Sequence, residues 1–326
     1  FSSRRRHTRY ADRSRGLGDV YKRQPLLFSS ELKSSMPGEP DEERLELLRT
    51  QMINMDPPRH LKYRRLVRNA FTPKVVDSYR GRFEGIAREV LDRAVGGEEC
   101  EFVTDIASEP PLVAICELMG VPLDRRRRLF ELTNIMIGMD DPELSTSEED
   151  GTNALIEMFM LAQEMAATHR ANPKDDIVNV LLNGTVEDEP LTDDEFCNFF
   201  LLLIVAGNET TRTVTSHGMR LLMEHGQYQQ LQEQPDLLEG AIEEILRYNP
   251  AVITFRRTAT QDVEVGGQLI KEGDRVQLYS GAASADEAVF KDGDTFDITR
   301  SQREDVKNNH RAFGIGEHFC MGSHLA

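Results

Sequence analysis

The sequence predicts a mainly α-helical fold with a small β component late in the chain. Three observations carry this. Apolar residues recur three or four apart through most of the chain. Pro110, Pro122, Pro142 and Pro173 punctuate those runs. Apolar–polar alternation is confined to 259–266 and 275–279, around Gly266-Gly267.

The helices follow in order. The run 44–52 places Leu45, Leu48 and Met52 on one side, and 58–70 does so with Tyr63, Val67 and Ala70. Tyr79, Phe83, Ile86 and Val90 predict a helix over 75–94, and Leu112, Ile115 and Met119 one over 103–119. Leu129 and Leu132 belong to 124–137, Met158, Leu161 and Met165 to 153–170, and Ile177 and Leu181 to 175–183. Thr192-Asp193-Asp194-Glu195 is a capping box that opens a helix running to about His225, roughly 50 Å long. Its middle, Ala206-Gly207-Asn208-Glu209-Thr210-Thr211, breaks the rules of a buried helix. A mid-helix glycine costs about 1 kcal/mol relative to alanine. A buried glutamate costs more unless it is partnered or neutral. Such local conflict is expected at functional sites.

Composition narrows the function classes. The chain has 326 residues and a formal charge of −17. Residues 1–24 carry +6, so the remainder carries −23, which argues against a nucleic-acid binder. Cys100, Cys116, Cys197 and Cys320 are scattered with no C-x-x-C pair, which fits a reducing, cytoplasmic setting. The longest apolar run, 196–207, is too short to span a bilayer. Residues 1–24 read FSSRRRHTRYADRSRGLGDVYKRQ and have no apolar signal region. Their halves look like translated sequencing-adapter read-through. This stretch is expected to be a non-native, disordered leader that does not pack against the domain of residues 25–326.

The most informative run is Phe313-Gly314-Ile315-Gly316-Glu317-His318-Phe319-Cys320-Met321-Gly322. A cysteine that ligates a metal cofactor needs a rigid loop with backbone N–H groups aimed at its sulfur. Glycines at 314, 316 and 322 permit such a loop. Through Leu325 and Ala326 the run matches F-G-x-G-x-H-x-C-x-G-x-x-L-A. It resembles the haem-binding signature of the cytochrome P-450 family.

That resemblance covers about 27–326 and implies a cytochrome P-450 fold, here incomplete. The family's amino-terminal sheet region and the segment after the cysteine loop are not expected in this chain. It implies haem b ligated by Cys320, with Phe313, Gly314, His318 and Gly322 in the binding loop. It places Ala206 and Gly207 above the haem, Gly207 leaving room for the ligand, and makes Glu209 and Thr210 the acid–alcohol pair that delivers protons in dioxygen activation. Cys320 is expected to face Ala206–Thr210 across a space wide enough for a macrocycle. Asp56-Pro57-Pro58-Arg59-His60 resembles a family segment whose His60 and Arg64, with Arg257 and His318, hold the haem propionates. Glu244-x-x-Arg247 and Arg300 resemble a buried structural cluster. Val205, Val252, Ile253, Thr254 and Phe255 are expected to line a substrate pocket, apolar like its ligand.

The stretches AGNETTR, FRRTAT and FDITR look most like actinobacterial members that hydroxylate sterol side chains and branched lipids. Ser284-Ala285-Asp286 departs from the N-R-D common in relatives. The implied function is a monooxygenase acting on a sterol, terpenoid or branched lipid. It would be a monomer fed by NAD(P)H through a ferredoxin or flavodoxin, with Lys62, Arg65 and Arg68 as the docking patch. Arg125 to Arg128 reads as a solvated face. The alternatives are a peroxide-using peroxygenase, a truncated, weakly haem-binding inactive fragment, and a zinc protein using His310, His318, Cys320 and His324.

Overall fold

The computed structural model describes residues 26–325, apart from 37, 98, 139–146, 175 and 187. The expected leader, Pro142, Asp175 and Ala326 lie outside the described residues. Strand β1 (Phe28–Ser29) precedes α1 (Glu42–Arg49), α2 (Arg59–Val67), α3 (Pro73–Val95), α4 (Glu109–Leu118), α5 (Arg126–Ile137), α6 (Glu148–Ala171) and α7 (Ile177–Leu182). A hairpin of β2 (Thr185–Val186) and β3 (Glu189–Pro190) leads into the long α8 (Asp193–Glu224). Then follow α9 (Tyr228–Glu233), α10 (Leu238–Tyr248), β4 (Thr254–Ala259), β5 (Val263–Val265), β6 (Gln268–Ile270), β7 (Arg275–Tyr279), α11 (Ser280–Ser284) and α12 (Val306–Asn309).

Local chemistry sets the boundaries. The capping box forms as expected: Glu195 N–H donates to Thr192 Oγ1 at 3.2 Å, and Thr192 N–H to Glu195 Oε2 at 2.9 Å. Two expectations are corrected. The helix over 103–119 is a π-helical turn, Phe102–Ala107, followed by α4. Pro110 and Pro111 sit in the first turn of α4, where their missing N–H groups cost no intrahelical bond. The strand over 259–266 is two strands, β4 ending and β5 beginning on either side of 260–262. Arg256 and Arg257 hid β4, because two arginines in a row do not read as a buried strand.

The chain divides into two units. In one, described residues up to Leu61 join Thr213–Cys320. Its sheet is antiparallel in the order β1-β4-β7, with Phe28 opposite Ala259 and Phe255 opposite Leu278. Arg256 donates to Lys33 O at 2.8 Å and Ser34 O at 3.3 Å, which stitches the early segment to β4. The amphipathic α10 packs Ala241 and Ile245 with Leu221, Leu222, Phe296 and Ile298. A Cβ on Gly218 would meet Ile245 Cδ1 at 3.0 Å, so this glycine lets the end of α8 approach α10 closely.

Glu244, on the same helix, has a fully buried side chain. Its carboxylate accepts from Arg247 Nε at 2.7 Å and Nη2 at 2.8 Å, from Arg300 Nε, and from the Asp297 N–H at 2.9 Å. The guanidiniums then donate to backbone carbonyls. Arg247 reaches Ser284 O, Gly293 O and Thr295 O; Arg300 reaches Lys291 O, Asp292 O and Thr295 O. Much of the irregular chain from 284 to 304 is held by this charge cluster.

The other unit is Lys62–Arg212 with 321–325. Phe196, Phe199, Phe200 and Ile204 of α8 are buried, as are Met158, Leu161 and Met165 of α6 and Leu129 and Leu132 of α5. The arginine run is not simply solvated. Arg125 pairs with Glu164 at 2.9 Å and Arg128 with Glu157 at 2.6 Å, both joining the α5 region to α6. These pairs are half exposed and worth little individually.

Gly293 tests the charge cluster. A Cβ there would meet Ala285 O at 2.3 Å, a backbone atom. Gly293→Ala is expected to lower the unfolding free energy by about 3 kcal/mol, as overpacking at a rigid contact does. Denaturant midpoints check this, and an unchanged midpoint would mean the chain at 284–304 is looser than described.

Candidate functional site

The cysteine loop belongs to the first unit. Gly314 and Gly316 have φ of 71° and 79°, a region other residues adopt at a cost. Cys320 N–H donates to Phe313 O at 3.0 Å and Phe319 N–H to Gly316 O at 3.0 Å, closing the loop on itself. The Phe313 and Phe319 rings meet edge-on at 6.4 Å. Cys320 is exposed at the loop's end. Gly322 lies in the 3-10 turn Met321–His324 and is not among the positive-φ glycines.

His60 is buried and its ring stacks on His318 at 3.9 Å between centroids, although the two are far apart in sequence. Arg257 is buried in β4 and donates to Arg256 O at 2.7 Å. Arg64 is half-buried, one turn after His60 on α2. Lys62 is half-buried and Arg65 and Arg68 are exposed. Val252, Thr254 and Phe255 are half-buried, while Ile253 is 69% exposed.

The middle of α8 belongs to the second unit. A Cβ on Gly207 would meet Ile115 Cδ1 at 3.1 Å. Gly207 therefore makes room for α4. Ala206 is the exposed residue in this stretch, and Val205 is half-buried. Thr210 donates its hydroxyl to Ala206 O at 2.8 Å. Glu209 is 8% exposed and pairs with Arg212, which also donates to Asn134 Oδ1 at 2.7 Å and lies over the Phe130 ring. Burial pushes the Glu209 carboxyl up, against the pull of Arg212. Its Oε1 and the Asn208 Oδ1 are buried acceptors without a hydrogen bond among the described atoms. Arg212 escaped the sequence reading; the signal was its spacing three residues after Glu209.

The remaining cysteines separate clearly. Cys116 and Cys197 are buried, and burial pushes their thiols up to about 12 and about 11. Cys100 is exposed in the loop after Gly96-Gly97. Among the described residues no three His, Cys, Asp or Glu side chains come together as a metal site, so the zinc alternative finds no ligand set. Among them, too, no helix is long and apolar enough to cross a membrane.

The chain is similar to known proteins along most of its length. The family profile described as Cytochrome P450 matches residues 227–326. The chain is 39% identical to a steroid C26-monooxygenase of Rhodococcus jostii over 287 residues, which is 87% of this chain and 59% of that protein. It is 36% identical to a linalool 8-monooxygenase of Pseudomonas putida over 312 residues, 93% of this chain and 76% of the other. The fold is similar to a Mycobacterium marinum cytochrome P450 in complex with pseudoionone, with a TM-score of 0.87 and 32% identity. That match covers 96% of this chain and 75% of the other.

The raised carboxyl of Glu209 has a signed consequence. The folded state holds the proton more tightly than the unfolded chain, so stability falls as pH rises from the ordinary glutamate range through the folded value. Glu209→Gln is expected to gain stability relative to the unsubstituted chain across that rise, and Arg212→Ala to lose more of it. Unfolding free energies measured from pH about 4 to about 8 check both. A stability of Glu209→Gln, taken relative to the unsubstituted chain, that falls as pH rises would contradict the assignment.

Proposed function

The chain belongs to the cytochrome P450 family, and on that premise we propose that it is a haem-thiolate monooxygenase, inserting one atom of dioxygen into a C–H bond of an apolar substrate. The observation that carries this is Cys320, a thiol at the end of a hydrogen-bonded glycine loop, in contrast to Cys116 and Cys197, which burial keeps protonated. Haem b, when bound, supplies the redox chemistry of dioxygen activation. The residues present fit it. Cys320 would be the iron ligand, with Phe313, Gly314 and Gly316 shaping its loop. His60, Arg64, Arg257 and His318 would hold the propionates by charge-assisted hydrogen bonds.

Proton handling falls to α8. Glu209 would hold a proton that burial helps retain, with Arg212 fixing its carboxylate against Asn134. Thr210 would pass protons on by exchanging its bond to Ala206 O for one to the substrate side. Both groups favour oxygen activation over direct use of peroxide. Electrons would come from NAD(P)H through a ferredoxin or flavodoxin, whose acidic face would meet Lys62, Arg65 and Arg68. Two curated relatives act on a steroid and on linalool. Val205, Val252, Ile253, Thr254 and Phe255 offer mostly apolar surface for a sterol, terpenoid or branched lipid.

The reduced, carbon-monoxide-bound spectrum tests the reading. Cys320→Ala is expected to abolish the strongly red-shifted Soret band of thiolate ligation. Thr210→Val is expected to keep that band while consuming NAD(P)H without matching product. A band that survives Cys320→Ala would sink the ligand assignment. Peroxide-driven turnover without any NAD(P)H-driven turnover would move the protein to the peroxygenases.

A further inference from the structure

His310 sits ten residues before Cys320, just past the end of α12. It is 7% exposed. Its Nε2 lies 3.0 Å from Glu243 Oε2 on α10, and its Nδ1 accepts the Ala312 N–H at 3.2 Å. The ring also packs on Phe313 at 5.7 Å between centroids. One ring nitrogen faces a carboxylate and the other an N–H. Only the neutral ring with its proton on Nε2 satisfies both neighbours. Any other protonation state sets an N–H against the Ala312 N–H.

The neighbours of this contact give it a purpose. The next bond along the chain in this frame is Arg311 N–H to Ser284 Oγ at 3.0 Å, and Ser284 O is itself an acceptor of Arg247. Phe313, one residue after Ala312, supplies the carbonyl that accepts the Cys320 N–H. Glu243 and Glu244 are consecutive on α10, about 100° apart around its axis. Glu244 anchors the irregular chain after Ser284, and Glu243 anchors His310. One helix therefore ties down both the support of the cysteine loop and its entry.

We propose that His310, bridging Glu243 to the Ala312 amide, is a positioning residue that fixes the direction in which the chain enters the cysteine loop and so holds Cys320 where it can act as a ligand. The proposal rests on the reading of Cys320 as the iron ligand. The role lies in the Nδ1 acceptor more than in ring volume.

Substitutions can separate those two contributions. Asparagine places its side-chain oxygen near the Nδ1 position and can still accept from Ala312. Glutamine reaches toward Glu243 but not back to that amide. Phenylalanine keeps the ring and accepts nothing. The full chain, reconstituted with haem b, is compared as unsubstituted protein, His310→Asn, His310→Gln, His310→Phe and Cys320→Ala. The readouts are the thiolate-type fraction in the reduced carbon-monoxide spectrum, amide hydrogen exchange over 311–320 in the haem-depleted protein, and the unfolding midpoint.

His310→Asn is expected to keep both band and protection. His310→Gln and His310→Phe are expected to accelerate exchange over 311–320 about tenfold, the scale of one lost buried hydrogen bond, and to lower the thiolate fraction. Wild-type exchange and band in His310→Phe would overturn the proposal. So would an equal loss in all three variants that tracks a fallen unfolding midpoint, since that is packing alone. If Cys320→Ala keeps the band, the ligand reading fails instead, and the exchange data still decide whether His310 holds the loop.

Discussion

A carboxylate buried to zero exposure sets the terms for one half of this protein. Glu244 cannot sit in the interior charged and alone; an isolated buried charge costs far more than the net stability of a domain. Two guanidiniums answer it, and they bring seven or more donors that also need partners. The interior of a helix or sheet has few spare carbonyls to give them. An irregular chain does. The stretch from Ser284 to Glu304 has few internal ladders of its own, and its carbonyls turn inward to Arg247 and Arg300. The cluster and the coil are thus mutual requirements. Removing one partner of such a buried set typically costs about 3–5 kcal/mol, because the others are left unpaired.

A second tension runs through α8. A long helix with buried flanks carries Asn208 and Glu209 inside, against its own hydrophobic logic. Arg212 relieves part of it, and Thr133 takes the Asn208 amide at 3.3 Å. Two acceptor oxygens are left over in the described atoms. Buried acceptors of this kind are unusual in a finished core and are where bound water or a reacting group is expected. The glycine beside them answers a separate need, since Gly207 is where α4 comes close.

Much of this was legible from the residues alone, for a physical reason. Helical period, proline punctuation and capping act over a few residues, so the helices from α1 to α8, apart from the start of α4, and the box at Thr192 could be read directly. The cysteine loop was legible because positive-φ turns demand glycine at 314 and 316. What could not be read is what depends on distant chain. Arg256 and Arg257 looked unlike a buried strand, because the carbonyls of Lys33 and Ser34 that accept Arg256 come from over 220 residues away. The arginines at 125 and 128 looked solvated because Glu164 and Glu157 lie on another helix. His310 looked like a spare ligand, and only the fold sets Glu243 against it.

Three of the cysteines show two ways of holding a sulfur, by packing in a core and by a loop. Burial is the usual way to hold a side chain still, but it also disfavours the thiolate. Cys116 and Cys197 are fixed in place by packing and pay for it with raised thiol values. A sulfur meant to be deprotonated and reached by a metal must stay accessible. Its position then has to come from the backbone. At Cys320 it does: the loop is closed by the Phe313 carbonyl and turned by two positive-φ glycines, and its entry is tied back to α10 through His310 and, through Ser284, to Arg247. Each tether is a single hydrogen bond, worth about 1 kcal/mol net. Their strength lies in acting on one short segment whose other conformations they jointly exclude. The position of the Cys320 sulfur therefore rests on the frame around its loop and not on packing in a core.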